Sequence, residues 1–138
     1  MWKDNNTGFE FKSIVFVQME PLLNRFLRLA QREAYKSKNK YKLGCCIVKN
    51  GKVIGKGHNE NSFNRLFGSG FSCYNHAESS AITDAFSRVW DLKGCKAYIF
   101  RKGNFNSRPC ETCMRHLKSV GIKKIFYTCE GNLIEEKV

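Results

Sequence analysis

A chain of 138 residues carrying 24 Lys and Arg against 12 Asp and Glu, net charge +12, fits one globular domain. Eleven phenylalanines in a composition that is 42% hydrophobic exclude a disordered chain, and no apolar stretch is long enough to cross a membrane. The seven cysteines do not form the regular framework of a small secreted domain, so a reducing, intracellular setting is expected, cytoplasmic with the nucleus left open. The basic excess suits a phosphate-bearing partner, or equally a surface of solvated lysines.

Residues 1–19 read as an N-terminal extension, polar apart from the short apolar run Ile14-Val15-Phe16-Val17. From residue 20 a single domain is expected. Leu22, Leu23, Phe26, Leu27, Ala30 and Ala34 recur at three- and four-residue spacings, which predicts a helix with one apolar stripe. Pro21 suits its first turn, and the Lys36-to-Lys40 stretch ends it. Leu43 to Val48 and Val53 to Gly57 then read as strands joined at Asn50-Gly51, the strongest short hairpin signal. Asn59 to Asn75 reads as a loop, long for a domain of this size and therefore a candidate for function. A helix from His76 to Val89, a strand from Lys96 to Phe100 and a basic loop from Arg101 to Arg108 follow. A helix from Pro109 to Val120, a strand from Lys124 to Thr128, a turn at Glu130-Gly131-Asn132 and a last short strand complete the order. Five strands interspersed with helices predict an α/β fold, a mixed sheet covered by helices on its faces. Only ten residues follow Thr128. A parallel crossover needs a dozen or more, so the last two strands are expected to form an antiparallel hairpin.

Two motifs carry chemistry. His76-Ala77-Glu78 and Pro109-Cys110-Glu111-Thr112-Cys113 each fall at a predicted helix start. A C-x-x-C there places both sulfurs on one side of the first turn, where the helix dipole favours thiolates. With His76 the two thiols make three zinc ligands, and three ligands leave the open position that a catalytic zinc needs. Such a site lowers the pKa of water towards ~7. Glu78, two residues past the histidine, is then the proton shuttle. The combination H-x-E followed by P-C-x-x-C is the signature of zinc nucleobase deaminases, in which water replaces an exocyclic amine and ammonia leaves. A C-x-x-C alone is weak, fitting a redox pair or part of a structural zinc site, to which Cys73 would add a fourth ligand. The remaining cysteines, Cys45, Cys46, Cys95 and Cys129, read as small packing residues.

The chain resembles the cytidine deaminase superfamily over about residues 20–128. Besides the zinc motifs, Gly44-Cys45-Cys46-Ile47-Val48, Gly51-Lys52-Val53-Ile54 and Gly57-His58-Asn59 look like that family's first hairpin, and Lys123-Lys124-Ile125-Phe126-Tyr127 like the strand after the second motif. The resemblance implies a cytidine deaminase-like three-layer fold, one zinc per chain and a homo-oligomer. It also implies that Asn59 contacts the base or sugar and that the backbone of Ala77 helps to hold the base. The histidine-type zinc ligand matches relatives acting on deoxycytidylate, tRNA adenosine and polynucleotide cytosine. The short tail matches the free-cytidine branch.

The substrate stays open at this level. Arg101, Lys102 and Arg108 flank the predicted pocket mouth with Phe105 among them, and Arg65 lies in the long loop with Phe63, Phe67 and Phe71. Such interleaving suits one phosphate and one base, or a single strand. Lys36, Lys38, Lys40 and Lys42 would extend a nucleic-acid track or solubilise a loop. A cytosine nucleoside or nucleotide deaminase is the first reading, with no membrane partner. A polynucleotide cytosine or adenine deaminase, or a non-catalytic zinc assembly protein, is the alternative. Glu135-Glu136 reads as a solvated edge.

Overall fold

Two tight turns organise the sheet. Asn50 and Gly51 have φ of 50° and 78°, and Glu130 and Gly131 have φ of 50° and 78°. Positive φ at both central residues is the requirement of a type I′ turn, whose twist matches that of paired strands. The computed structural model describes residues 2–3, 10–11, 14–17, 24–60, 76–103 and 105–138, the first three segments by backbone alone. They contain β1 (Trp2–Lys3), β2 (Glu10–Phe11), β3 (Ile14–Val17), α1 (Arg25–Ala34), β4 (Leu43–Lys49) and β5 (Lys52–His58). After these come α2 (Ala77–Phe86), β6 (Lys96–Arg101), α3 (Glu111–Ser119), β7 (Lys124–Cys129) and β8 (Asn132–Lys137).

The main sheet runs β3-β8-β7-β6-β4-β5, and β1 and β2 form a separate two-stranded pair. The five expected strands are all in the main sheet. β6 and β7 are parallel, and every other neighbouring pair is antiparallel. The two-residue turn at Glu130-Gly131 makes β7 and β8 an antiparallel hairpin, as expected. The apolar run Ile14–Val17, expected as part of an extension, adds a sixth strand against β8. It covers a sheet edge that would otherwise expose unpaired backbone groups.

Helices cover both faces. On one, Leu27, Ala30 and Ala34 of α1 pack on Cys46, Val48, Tyr98 and Phe100. On the other, Ala77, Ala81, Ile82 and Ala85 of α2 and Leu117 of α3 pack on Cys45, Ile47, Ala97 and Ile99. Alternate residues of β4 thus serve opposite faces, the period-two consequence of strand geometry. Asn24 caps α1, its side chain accepting from the amides of Phe26 and Leu27 at 2.9 and 3.1 Å. Such a cap is worth about 1 kcal/mol. The capped helix begins at Arg25; Pro21, Leu22 and Leu23 lie outside the described residues.

Helix α2 sits close on β5 because that strand lacks side chains where they would collide. A Cβ at Gly57 would run into the backbone nitrogen of Ala81, and one at Gly55 into the Ala81 carbonyl. Backbone cannot step aside as a side-chain tip can. Gly57→Ala is therefore expected to cost about 1–3 kcal/mol, the range of an overpacked core. Since α2 begins at the zinc motif, zinc affinity should fall with it. Urea unfolding and zinc titration of the variant check both effects.

Beside this edge Glu33 is buried, and it accepts from Lys36 Nζ at 3.0 Å and faces His58 Nδ1 at 3.1 Å. Burial opposes its ionisation, but the hydrogen bonds and charges of Lys36 and His58 outweigh this and hold its carboxyl below the ordinary value of 4.5. A lowered folded-state pKa contributes stability above the unfolded value, lost as pH falls through the folded one. The stability advantage of the wild type over Glu33→Gln is thus expected to shrink as pH falls below 4.5. Urea midpoints of the two proteins on either side of that pH measure it.

Candidate active site

The register of the sheet brings the functional segments to one edge. Leu43 pairs with Arg101 and Gly44 with His58, so the start of β4 and the ends of β5 and β6 lie together. β5, β6 and β7 point the same way, and their carboxyl ends deliver the chain to this edge. In open α/β sheets that is where ligands bind.

Each motif begins a helix. His76 is the N-cap of α2, extended at φ −84° and ψ 154°, and makes no capping hydrogen bond with its ring. Cys110 is the N-cap of α3, at φ −64° and ψ 164°. The sequence placed Pro109 in the first turn of this helix; it instead precedes the cap, where it is buried and the helix has yet to begin. Likewise α2 ends at Phe86, three residues short of Val89, where its C-cap Ser87 bonds back to Asp84 and Ala85.

His76 Nδ1 lies 3.1 Å from Cys113 Sγ and 3.8 Å from Cys110 Sγ, and all three donor atoms lie within 4.8 Å of one another. Tetrahedral zinc with its usual bonds to sulfur and nitrogen needs donors about 3.5 Å apart. The trio therefore fits zinc, in both donor chemistry and spacing. Two helix N-termini add their positive ends to a pair of thiols that must ionise to bind it. Cys113 is buried and Cys110 exposed, which leaves one side of the trio open. Cys73, the other candidate ligand, lies outside the described residues.

Glu78 is 3% exposed and lies beside the ligand trio without being a member of it. Burial raises its pKa above the ordinary carboxylate value, against the pull of its own backbone amide, the neighbouring His76 and a hydrogen bond with Cys113. It lines a cavity of about 250 Å³ together with His76, Ala77, Cys110, Asn59 and Arg101. Arg108, Asn106, Leu43 and Pro109 complete the lining. All eight site residues read from the sequence are thus brought together: the ligand Cys113 from beneath and the other seven around the cavity.

Asn59 is held on both sides of its amide. Its Oδ1 accepts from Leu43 N at 2.9 Å and its Nδ2 donates to the Tyr41 carbonyl at 2.6 Å. These partners fix which end of the amide is which. Arg108 is half committed, since Nε and Nη2 donate to the two carboxylate oxygens of Glu136 at 2.9 and 2.7 Å. Glu136 is 4% exposed and also accepts from the Tyr127 hydroxyl at 3.0 Å. This corrects the expectation of a solvated Glu135-Glu136 edge. Glu135 pairs with Lys124 at 2.9 Å, while Glu136 faces inward and anchors the cavity rim. Two acidic residues side by side in a strand point to opposite faces, a signal that composition alone conceals.

Sequence reasoning also missed Ser107. It is 1% exposed, its hydroxyl lies 3.0 Å from the carbonyls of both Ile99 and Thr128, which share its one proton, and it accepts from Thr128 N at 2.8 Å. It thereby pins the loop before the cysteines to β6 and β7. Ser79 Oγ and His116 Nδ1, 3.3 Å apart, link α2 to α3. Arg65, Phe63, Phe67 and Phe71 lie outside the described residues. Cys45, Cys46 and Cys95 are buried as packing residues, and Cys129 is partly so.

Three ligand donors and a buried carboxylate beside a cavity define a zinc site of the deaminase type, and comparison with other proteins agrees. The chain belongs to the family described as the cytidine and deoxycytidylate deaminase zinc-binding region, whose sequence pattern matches residues 19–129. No functionally curated protein matches the sequence. Among solved structures it is similar to the cytidine deaminase of Burkholderia pseudomallei, at 20% identity and TM-score 0.65, covering 82% of this chain and 90% of that one. It is also similar to the dCMP deaminase of cyanophage S-TIM5, at 23% identity and TM-score 0.59, covering 82% and 89%. The guanine deaminase of Bacillus subtilis is a further structural relative, at 24% identity and TM-score 0.53, covering 76% and 62%. No helix among the described residues is long and apolar enough to cross a membrane.

Proposed function

We propose that this protein is a hydrolytic deaminase that converts the cytosine of a nucleoside or nucleotide to uracil and releases ammonia. The observation that carries this reading is the position of Glu78: a buried carboxylate in the cavity of the His76, Cys110 and Cys113 trio but outside it. A structural zinc site has no use for such a group. Zinc held by the trio supplies a water activated near neutral pH. Glu78 would take one proton of that water and pass it to the ring nitrogen as the hydroxide adds to the amine-bearing carbon, then carry the proton of the added hydroxyl to the amine, so that the C–N bond breaks, ammonia leaves and a carbonyl remains. Asn59, already fixed by Tyr41 and Leu43, offers its remaining hydrogen-bonding capacity to the base or sugar. The backbone of Ala77, at the open end of α2, meets the base, while Arg101 and Arg108 at the rim meet the sugar or phosphate.

The family description and the names of the cytidine and dCMP deaminases above support cytosine as the base. The same reading makes the protein an intracellular homo-oligomer whose single domain takes in the strand at Ile14–Val17. The test is incubation of zinc-loaded protein with cytidine, deoxycytidine, their monophosphates, single-stranded DNA and RNA, and the corresponding adenine and guanine compounds. Mass spectrometry then reads the products. Conversion of a cytosine substrate to its uracil counterpart is expected. Zinc-loaded protein that leaves every cytosine compound unchanged would overturn the reading.

A further inference from the structure

A second concavity adjoins the first. Its volume is about 520 Å³, and Lys40, Tyr41, Lys42, Arg101, Lys102 and Phe105 line it. Arg101 lines both cavities. Its guanidinium lies 5.1 Å from the centre of the Tyr41 ring and 5.8 Å from that of Phe105, and Lys40 Nζ lies 5.5 Å from Tyr41. Tyr41 is 58% exposed and Phe105 61%. Large rings left in water at that level need a reason when they share a concavity with four cations and no described carboxylate. The backbone link from Lys102 N to the Lys42 carbonyl, 2.9 Å, ties its two walls together at the sheet edge.

We infer that this shelf binds the nucleotide next to the target base, so that a cytosine within a single-stranded oligonucleotide is a substrate as well as the monomer. The proposal rests on the deaminase reading and names its substrate class. A lone phosphate would engage the cations and make no use of the exposed ring faces. A flanking base stacks on an exposed ring while its phosphates lie along the cations, which is how single strands are held. One base enters the catalytic cavity, and its neighbour rests on the shelf.

The test compares wild type with Tyr41→Ala and with the double variant Lys40→Ser/Lys102→Ser, all zinc-loaded. Turnover of deoxycytidine monophosphate and of short cytosine-bearing DNA and RNA strands is measured, with strand binding read by fluorescence anisotropy against salt. Loss of the ring is expected to weaken strand binding about tenfold, within the range for one stacked base. Loss of the two lysines should lower the slope of log affinity against log salt by about 0.7 for each phosphate contact removed. Monomer turnover should stay near wild type in both. Monomer turnover with no strand binding, or variants that lose strand and monomer turnover equally, would overturn the shelf and leave the deaminase reading standing. Strand binding that depends on the shelf, with no cytosine converted in any substrate, would instead overturn the deaminase reading.

Discussion

Glu78→Ala is expected to bind zinc at wild-type stoichiometry and to release ammonia about 10²–10⁴-fold more slowly than wild type, the contribution of a positioned acid–base group. The reason is a division of labour visible in the first turn of α2. His76, at the cap, faces the cysteines, while Glu78, two residues on, is buried in the cavity wall and is no part of the ligand trio. Removing its carboxylate leaves all three donors in place. Glu78→Gln separates the two roles, since it keeps the side-chain volume and one hydrogen-bonding oxygen but cannot take up and release a proton. Both variants should be slowed to that extent, and both should retain metal by atomic absorption. Activity near wild type in Glu78→Gln would refute the shuttle.

The second large effect is expected at Cys113. Cys113→Ser should abolish zinc binding and, with it, the dependence of folding on metal. Cys113 is 1% exposed, 3.1 Å from His76 Nδ1, and seated where α2 and α3 meet. A ligand that binds only the folded chain stabilises it by about 4 kcal/mol when present at 1,000 times its dissociation constant. Thermal unfolding of wild type should therefore shift upward with added zinc, and that of Cys113→Ser should not. Cys129→Ser, a substitution at a partly buried cysteine outside the trio, should keep the wild-type zinc response. A zinc response in Cys113→Ser equal to that of wild type would remove this residue from the ligand set.

The two motifs were legible because each is local. A C-x-x-C at a helix start and a histidine two residues before a glutamate owe their geometry to one helical turn, and one turn is what a sequence encodes. The same holds for the turns at Asn50-Gly51 and Glu130-Gly131, each made by two consecutive residues with positive φ. The buried face of α1 was readable from its apolar spacing, although Glu33 on that face was not. Glu33 is buried because Lys36, one turn away, and His58, on another element, compensate its charge. A pattern of apolar residues has no means of expressing that compensation.

Long-range placements belonged to the tertiary structure. Ser107 looks like any loop serine until β6 and β7 converge on it with two carbonyls and an amide. Glu136 looks like a surface charge until Arg108, twenty-eight residues earlier, meets it with two hydrogen bonds. The four-residue run at Ile14–Val17 becomes a strand because β8 has an edge to fill. Sequence alone determined the chemistry: which residues could hold zinc, which could move a proton, and which tight turns the chain would make, all matters of a few consecutive residues. Only the tertiary structure decided that Arg101 belongs to two cavities, that Arg108 is tied to Glu136 and that Tyr41 and Phe105 flank the same guanidinium. Those facts depend on strand register, which pairs residues far apart in the chain and sets what surrounds the site.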